Sequence, residues 1–532
     1  MLGDHLVRRA ARGRIVLIAL AALLLAQGTM AAPLVLRRGN PAEPDTLDPQ
    51  KSSIDYTIAI TGDMLLSLVQ GDESFQPTPG AAQSWTVSPD GLTYTFKMRP
   101  RVKWSDGVPL TVDDAIYGLR RFVDPATASP SAFLAYKIKN AAAVNAGRMQ
   151  IDQLGVRAID ASTLEMTLEA PNPNWLNVLA EPHFAPLPRH VIAKHKGAWT
   201  RPENMVASGA YKLAAWRSGD HVRLVKNAAY FDIKNVQIDE VIYYPTEDDA
   251  VALKRFRAGE LDLNARFSST ELVWLRKNRP DVIRISVSSW GTRVVLNQTL
   301  PKLADIRVRR ALALAVDRQA IVKNILRTGE MPAYGLVPPV APGYAGAELD
   351  FKAEPMPERL TEARALLKAA GYSEANPLSF VLSQRAGSAN KRVVVALANM
   401  WAKIGVKTEL RFADVSMYYG ELRKLNYEVA LTGAAWPPDP EHFLNEMHPK
   451  SPQNYSRYDS KAFNDTLARA SRIPERGARY AAFREAEAIA LKDVAIIPLY
   501  FNVNTNIVAP HLNGYRDNGR DLHPTRLLRV AR

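Results

Sequence analysis

The stretch 427–444, YEVALTGAAWPPDPEHFL, decides the fold once its upstream neighbours are read with it. Its first half alternates like a buried strand; Gly433, Ala434 and Ala435 then bare the backbone ahead of a tryptophan and three prolines. Upstream, Val393, Leu397, Met400, Trp401 and Ile404 form an apolar stripe at helical spacing, and Gly405 ends it. VKTELRF, 406–412, alternates at period two, and a helix leads from it to the strand at 427. Helix, strand, helix, strand is the order of a Rossmann-like half domain, with ligand-facing loops at strand ends. At the bare end of 427–444 another group can come close to the backbone.

Further out, Leu360–Ala370 has a helical pattern closed by Gly371. Asp305 is placed to cap one long helix with Val308, Ala311, Leu312, Ala315, Val322 and Leu326 on a single face. LTYTFKM, 92–98, follows the turn SPDG and predicts a hairpin strand. A helix is predicted over 111–122, with Thr111 as N-cap and Asp113 and Asp114 in its first turn. Nearer the start, 34–58 reads as a short strand, a turn-rich stretch with three prolines, then helix-forming residues. AIIPLYFNVNTNIVAP, 495–510, reads as a buried strand crossing between domains, turning polar at Asn502, with Tyr500 or Phe501 available to a pocket. These elements make an α/β or α+β assembly, and no repeat of 20 to 50 residues points to a solenoid or propeller.

A chain of 532 residues suggests two to four domains. Residues 1–31 have the form of an export signal: Arg8, Arg9, Arg12 and Arg14, then the apolar run Ile15–Ala26, then Thr29-Met30-Ala31 before a cut. Twelve apolar residues are fewer than the roughly 20 that span a bilayer, and no later stretch is longer, so no transmembrane segment is expected in the mature chain. With no cysteine, thiol nucleophiles, disulfides and cysteine metal sites are excluded. The net charge of +14 is dispersed among carboxylates and reads as a solvated surface, not a nucleic-acid footprint.

Catalytic patterns are missing. There is no G-x-S-x-G elbow, no S-x-x-K set, no H-E-x-x-H and no phosphate-binding G-x-x-x-x-G-K-[ST] loop. His183, His190 and His195 have spacings that do not share a helix face and read as surface histidines without a metal. Asp113-Asp114 and Asp248-Asp249 read as caps or solvated loops. No cofactor and no enzymatic activity are expected.

The segment PTPGAAQSWTVSPDGLTYTFKMRPRVKWSDGVPLTVDDAIYGLRR, 77–121, resembles the signature region of the extracytoplasmic solute-binding proteins of peptide ABC importers, family 5. NPAEPDTLDP at 40–49, SGAYKLAAW at 208–216, RLVKNAAYFD at 223–232 and DIRVRRALALAVDR at 305–318 follow in the family's order. Within the family the chain is most similar to periplasmic oligopeptide binders, through VDPATASP at 123–130, IDQLGVRAIDASTLEMTLEAP at 151–171 and GEMPAYGLVPP at 329–339.

The resemblance implies the large three-domain form of the two-lobed, type II periplasmic-binding-protein fold, with mixed sheets and a hinge. The first domain is expected over 32–65, 190–289 and 505–532, the second over 66–189, and the second lobe over 290–504. It also implies a periplasmic monomer that closes over a peptide and delivers it to a membrane permease whose separate ATPase subunits supply energy. The expected ligand contacts are Ser53, Ile54 and Asp55 in one lobe, and Gly433, Ala434, Ala435, Trp436, Asp439 and Tyr500 in the other. The family's aspartate that pairs with the peptide's amino terminus falls here on Trp436-Pro437 and the arginine just before it on Leu431, leaving Asp439 or Asp55 to meet a ligand amine. That departure keeps other readings open: a sugar, opine, modified peptide, haem or metal complex as ligand, Trp436 stacking on a ring, a holdase for unfolded segments, or a secreted hydrolase.

Overall fold

The computed structural model describes residues 32–52, 54–386 and 388–531; the export signal expected over 1–31, and Ser53, lie outside the described residues. Eleven strands make one mixed sheet. In one half, Val35–Asn40 runs parallel to Glu240–Pro245 and Leu263–Ala265, and the sheet continues antiparallel through His221–Lys226 and Tyr211–Arg217. In the other half, Ser379–Arg385 lies parallel between Lys407–Ala413 and Val429–Ala435, with helices Ser388–Ala402 and Val415–Lys424 as the connections. This is the helix–strand alternation expected from 393–435.

Two long strands, Ile283–Leu296 and Ile497–Val508, carry the chain between the halves and pair antiparallel. Their register slips between Val287 and Gly291. Before the slip, Ile283–Val287 pairs with residues 503–507, beside Leu263–Ala265; after it, 290–296 pairs with Val429–Ala435. A bulge bends a strand and increases its twist, so one sheet serves two lobes with a hinge at the slip. The buried stretch Ile497–Phe501 lies in the second lobe, and the polar residues after it begin at the crossing.

A separate antiparallel sheet orders Ala82–Val87, Thr93–Met98, Thr163–Thr167 and Val156–Asp160. The expected hairpin is made by the turn at Ser88–Gly91, where Gly91 has φ 71°. Helix Val112–Val123 packs against this sheet, and the Thr111 N–H donates to Asp114 Oδ2 at 2.9 Å as a first-turn cap. One apolar core joins this sheet to the 35–40 half of the large sheet and includes Leu36, Phe96, Trp104, Trp175 and Tyr211. A second, including Val294, Leu312, Trp401, Phe483 and Leu499, fills the other lobe, and a smaller cluster around Phe256 and Leu275 lies beside the hinge.

The single helix expected from Asp305 is interrupted. Asp305 accepts from the Arg307 N–H and caps Ile306–Leu314, after which the chain turns and restarts behind Asp317, whose carboxylate accepts from the Ala320 N–H. Arg318, fully buried, explains the break: its guanidinium donates to the carbonyls of Ala313, Val316 and Pro498, at 3.3, 3.3 and 2.9 Å. A continuous helix uses those first carbonyls itself. The apolar face is still buried on both sides of the break.

Candidate functional site

Between the lobes lies a cavity of about 690 Å³, within the range of small-molecule sites. Helix Asp55–Met64 opens onto it with Asp55, Tyr56 and Ala59. Arg520 Nη2 donates to Asp55 Oδ1 at 3.3 Å and Nε donates to Glu181 Oε1 at 2.9 Å. One guanidinium thus serves two carboxylates, and the member left with spare capacity, Asp55, is the one facing the cavity; its side chain is 59% exposed to cleft water, against 1% for Glu181. The protein mass around Asp55 raises its pKa, and Glu181 and Asp521 add to that against the opposing Arg520. Asp249 also lines this wall, its pKa raised by burial despite Arg266 at 3.9 Å.

The hinge supplies polar amides. Asn502 Nδ2 donates to the Trp290 carbonyl at 3.1 Å and to Thr292 Oγ1 at 2.8 Å, Asn504 donates to the Asn518 carbonyl at 3.1 Å, and Asn506 donates to Asp521 Oδ1 at 2.8 Å. Across from the first lobe, Val429–Ala435 pairs along its whole length with residues 290–296, but on its other edge only Val429 and Ala430 meet Ser379–Arg385. The Tyr418 hydroxyl donates to the Leu431 carbonyl at 2.7 Å, and beyond it the edge at Thr432–Ala435 carries no strand among the described residues. Leu431, Thr432, Gly433 and Ala435 all border the cavity. An unpaired strand edge in a cleft is a template for an extended ligand backbone.

Asp55, Gly433 and Ala435, all named from sequence, border this cavity together. Others lie elsewhere. Ile54 is the N-cap residue of helix Asp55–Met64, its N–H donating to Ser52 Oγ at 3.1 Å, and Ala434 packs on the second lobe's core, as strand alternation requires. Tyr500, 3% exposed, lies in that core, burial pushing its hydroxyl up to about 12. Asp439, 1% exposed, accepts from the Glu441 N–H at 3.0 Å and caps helix Pro440–Asn445. Trp436 is turned into the second lobe, its Nε1–H donating to Glu446, which is itself paired with Arg293. The Phe133 ring of the first lobe meets it edge-on at 5.3 Å and 88°. Trp436 and Asp439 therefore stand outside the cavity lining, at a contact between lobes.

The indole that faces the cavity is Trp290, at the hinge slip. It accounts for the bareness of Gly433: a Cβ there would stand 2.3 Å from Trp290 Nε1. Glycine 433 serves an intramolecular ring. Sequence reading missed Trp290, Asp249, Arg385 and Arg520. The polar run Asn502–Asn506 inside an otherwise buried strand was the available signal for the cavity wall, because such a run survives in a sheet where it faces water or ligand. His183, expected at the surface, is 4% exposed with Nε2 3.2 Å from the Ser52 carbonyl. Among the described residues no three His, Cys, Asp or Glu side chains gather as a metal site, and no helix is long and apolar enough to cross a membrane.

The family model for bacterial extracellular solute-binding proteins, family 5, matches residues 76–455. The chain is 35% identical over 492 residues to the probable deoxycholate-binding periplasmic protein YgiS of Escherichia coli, covering 91% of each chain. It is 34% identical over 511 residues to the periplasmic oligopeptide-binding protein OppA of the same organism, covering 95% of this chain and 93% of that one. The crystal structure of Haemophilus influenzae OppA in complex with RPPGFSPFR superposes with a TM-score of 0.82 at 29% identity, covering 94% of this chain and 99% of that chain.

Proposed function

The chain belongs to the bacterial extracellular solute-binding proteins of family 5, and from that premise we propose the particulars of how it holds its solute. It is the periplasmic binding component of an ABC importer, not an enzyme: it takes a peptide between two closing lobes and presents it to a membrane permease. The observation that carries the peptide reading is the open edge of Val429–Ala435 in the interlobe cavity. An extended peptide adds there as a further strand, each main-chain hydrogen bond contributing about 0.5 to 1.5 kcal/mol net, so several together give affinity without regard to side chains. Asp55 takes the peptide's ammonium group in place of the family aspartate, which Trp436-Pro437 displaces; its half-shared partner Arg520 leaves it free to do so. Trp290 provides the aromatic surface for a ligand side chain.

A second reading is favoured by one feature, Leu431 in the cavity wall where the family's oligopeptide binders carry an arginine. An apolar wall suits an amphipathic carboxylate of the kind named in YgiS. Titration calorimetry of purified protein, stripped of bound solute by unfolding and refolding, separates the two. Tetrapeptides of unlike side chains should each bind one per protein and raise the melting temperature, since a ligand confined to the folded state stabilises it. Saturable binding of deoxycholate with no heat from any tetrapeptide would reverse the order of these readings.

A further inference from the structure

A second cavity, of about 410 Å³, shares no lining residue with the interlobe cavity and straddles the hinge. One wall is helix Ser269–Asn278, where Ser269, Leu272, Val273 and Arg276 fall on one face at helical spacing. That helix lies on the first-lobe side of the register slip, since Leu272 and Leu275 pack with Val282 and Ile507. The opposite wall is the segment 319–332, whose Val322 and Leu326 belong to the second lobe's core. The two sides approach at Gly329, φ 121°, where a Cβ would stand 3.1 Å from Ile285 Cγ2. Within the second wall, Ile321–Leu326 is wound as a wide turn that the Arg327 N–H closes on the Val322 carbonyl at 3.0 Å, and Arg327 itself has φ 67°. Turns of this width are rare and frequently mark functional sites.

Three cations border this cavity, Arg276 from one wall and Lys323 and Arg327 from the other, and none of their side chains has an ion-pair or hydrogen-bond partner among the described residues. Nearby arginines are engaged: Arg279 with Asp281 at 2.9 Å, Arg255 with Glu260 at 3.0 Å, and Arg284 with the Asp281 carbonyl at 2.9 Å. Glu330, the carboxylate in the lining, is turned to its own loop, accepting from the Thr328 N–H at 3.1 Å and from the Thr328 hydroxyl at 2.7 Å. Like charges gathered from two lobes repel, and an anion with enough charge and length to touch both walls turns that repulsion into attraction. Guanidinium forks match phosphate oxygens, and lysine adds a point charge. We propose that this cavity binds a soluble oligophosphate, pyrophosphate or longer, held by Arg276 on one side of the hinge and by Lys323 and Arg327 on the other, and that the bound anion biases the hinge. The lobes are in contact here through Lys137 and Glu441, so an anion fitted to this arrangement favours the closed form. By the reciprocity of linked equilibria it then tightens the cleft's hold on its solute, whether peptide or not.

The test is calorimetry with inorganic pyrophosphate and with monophosphate at low ionic strength, beside X-ray scattering of the solute-free protein. Wild-type protein should bind one pyrophosphate about tenfold or more tightly than monophosphate, and added salt should weaken it. Arg276→Gln and Lys323→Gln should each cost about tenfold, the loss of one charge-assisted contact; both side chains are exposed, so the fold is kept. Pyrophosphate should lower the radius of gyration of wild-type protein but not of Arg276→Gln, and at saturation should raise tetra-alanine affinity about fivefold. No binding of pyrophosphate by wild-type protein, or equal binding by the Arg276→Gln, Arg327→Gln double variant, overturns the site. Pyrophosphate that competes with tetra-alanine places the anion in the interlobe cavity and overturns it too. Binding without a change in scattering overturns the effect on the hinge. Failure of tetra-alanine to bind under any condition counts against the peptide reading alone, and the pyrophosphate titrations and scattering still decide this proposal.

Discussion

Lys137, in the first lobe, reaches across to Glu441 in the second, and its removal should open the protein. Glu441 is 2% exposed and is held from three sides: by Lys137, by fully buried Arg479, and by the Ser471 hydroxyl at 2.7 Å. Burial alone would raise the Glu441 pKa, but Lys137 and Arg479 outweigh it and bring it well below the ordinary carboxylate range. A depressed carboxylate contributes its stability above its unfolded pKa and loses it as pH falls through the folded one, so this contact is complete at neutral pH. Arg479 and Ser471 belong to the same lobe as Glu441 and stay with it when the lobes part; Lys137 does not. Around it, Arg476 donates to Asn174 at 2.8 Å, Arg479 to the Pro171 carbonyl at 3.2 Å, and Phe133 meets Trp436.

Lys137→Met therefore removes one charge-assisted contact between lobes without leaving Glu441 unpaired. A contact of that kind is worth about 1.5 to 3 kcal/mol; with Arg479 still in place the lower end applies, about 1.5 kcal/mol, or about tenfold in the ratio of closed to open forms. Because only the closed form holds ligand on both walls, apparent affinity falls by the same factor. Calorimetry should show a tetrapeptide Kd raised about tenfold, and X-ray scattering of the unliganded variant should show a larger radius of gyration. The melting temperature should change little, since Lys137 is part-exposed and no buried charge is orphaned. Unchanged affinity with unchanged scattering would show that closure does not depend on this contact.

Trp290→Ala should weaken peptide binding and shift the preference among ligand side chains, with a small change in melting temperature, whereas Trp436→Ala should lower the melting temperature by deleting a 9% exposed indole worth about 3 to 5 kcal/mol of packing; thermal unfolding run beside calorimetry distinguishes the two tryptophans, and the reverse pattern would return Trp436 to the ligand. Asp55 has a raised pKa, so its charge is present above that value and lost as pH falls through it. Affinity for a free-amine peptide should accordingly decline on acidification earlier than an ordinary aspartate would make it, and an acetylated peptide should show no such decline; parallel titrations across pH that coincide would remove Asp55 from the amine.

Local pattern carried the fold well where it was regular. The stripe from Val393 to Ile404, the alternation of 406–412 and the bare end of Val429–Ala435 determined a parallel half-sheet because each strand there has a helix to bury it. The helix from Asp305 was misread because its apolar face continues unbroken past Leu314, while the break is made by Arg318 bonding to carbonyls, which periodicity does not record. The cavity lining was legible at one strand edge, Gly433 and Ala435, and at Asp55 across from it. Trp436 follows from the match to the family's ligand strand and Asp439 from being the carboxylate nearest the family aspartate's place, whereas the structure turns the Trp436 indole to Glu446 and uses Asp439 to cap helix Pro440–Asn445. Trp290 lies far away in sequence, and its placement follows from a register slip between two strands, a long-range property.

The same arrangement bears on specificity. The strand edge at Thr432–Ala435 gives an extended ligand main-chain partners common to every peptide, and its small side chains make few contacts of their own. Selection must then come from the few large groups on the walls, among them Asp55 in the first lobe and Trp290 between the lobes at the hinge. A peptide whose charged end finds no partner on the walls leaves that charge unmet in a closing cleft, so the walls restrict length as well as composition. Leu431 leaves that part of the second-lobe wall without a charge. Leu431→Arg should therefore shift the preferred length toward peptides whose carboxylate reaches that point of the wall. Competition among di-, tri-, tetra- and penta-alanine against the variant measures this. A length profile unchanged from wild type would mean that the strand edge, and not the charged ends, sets the length.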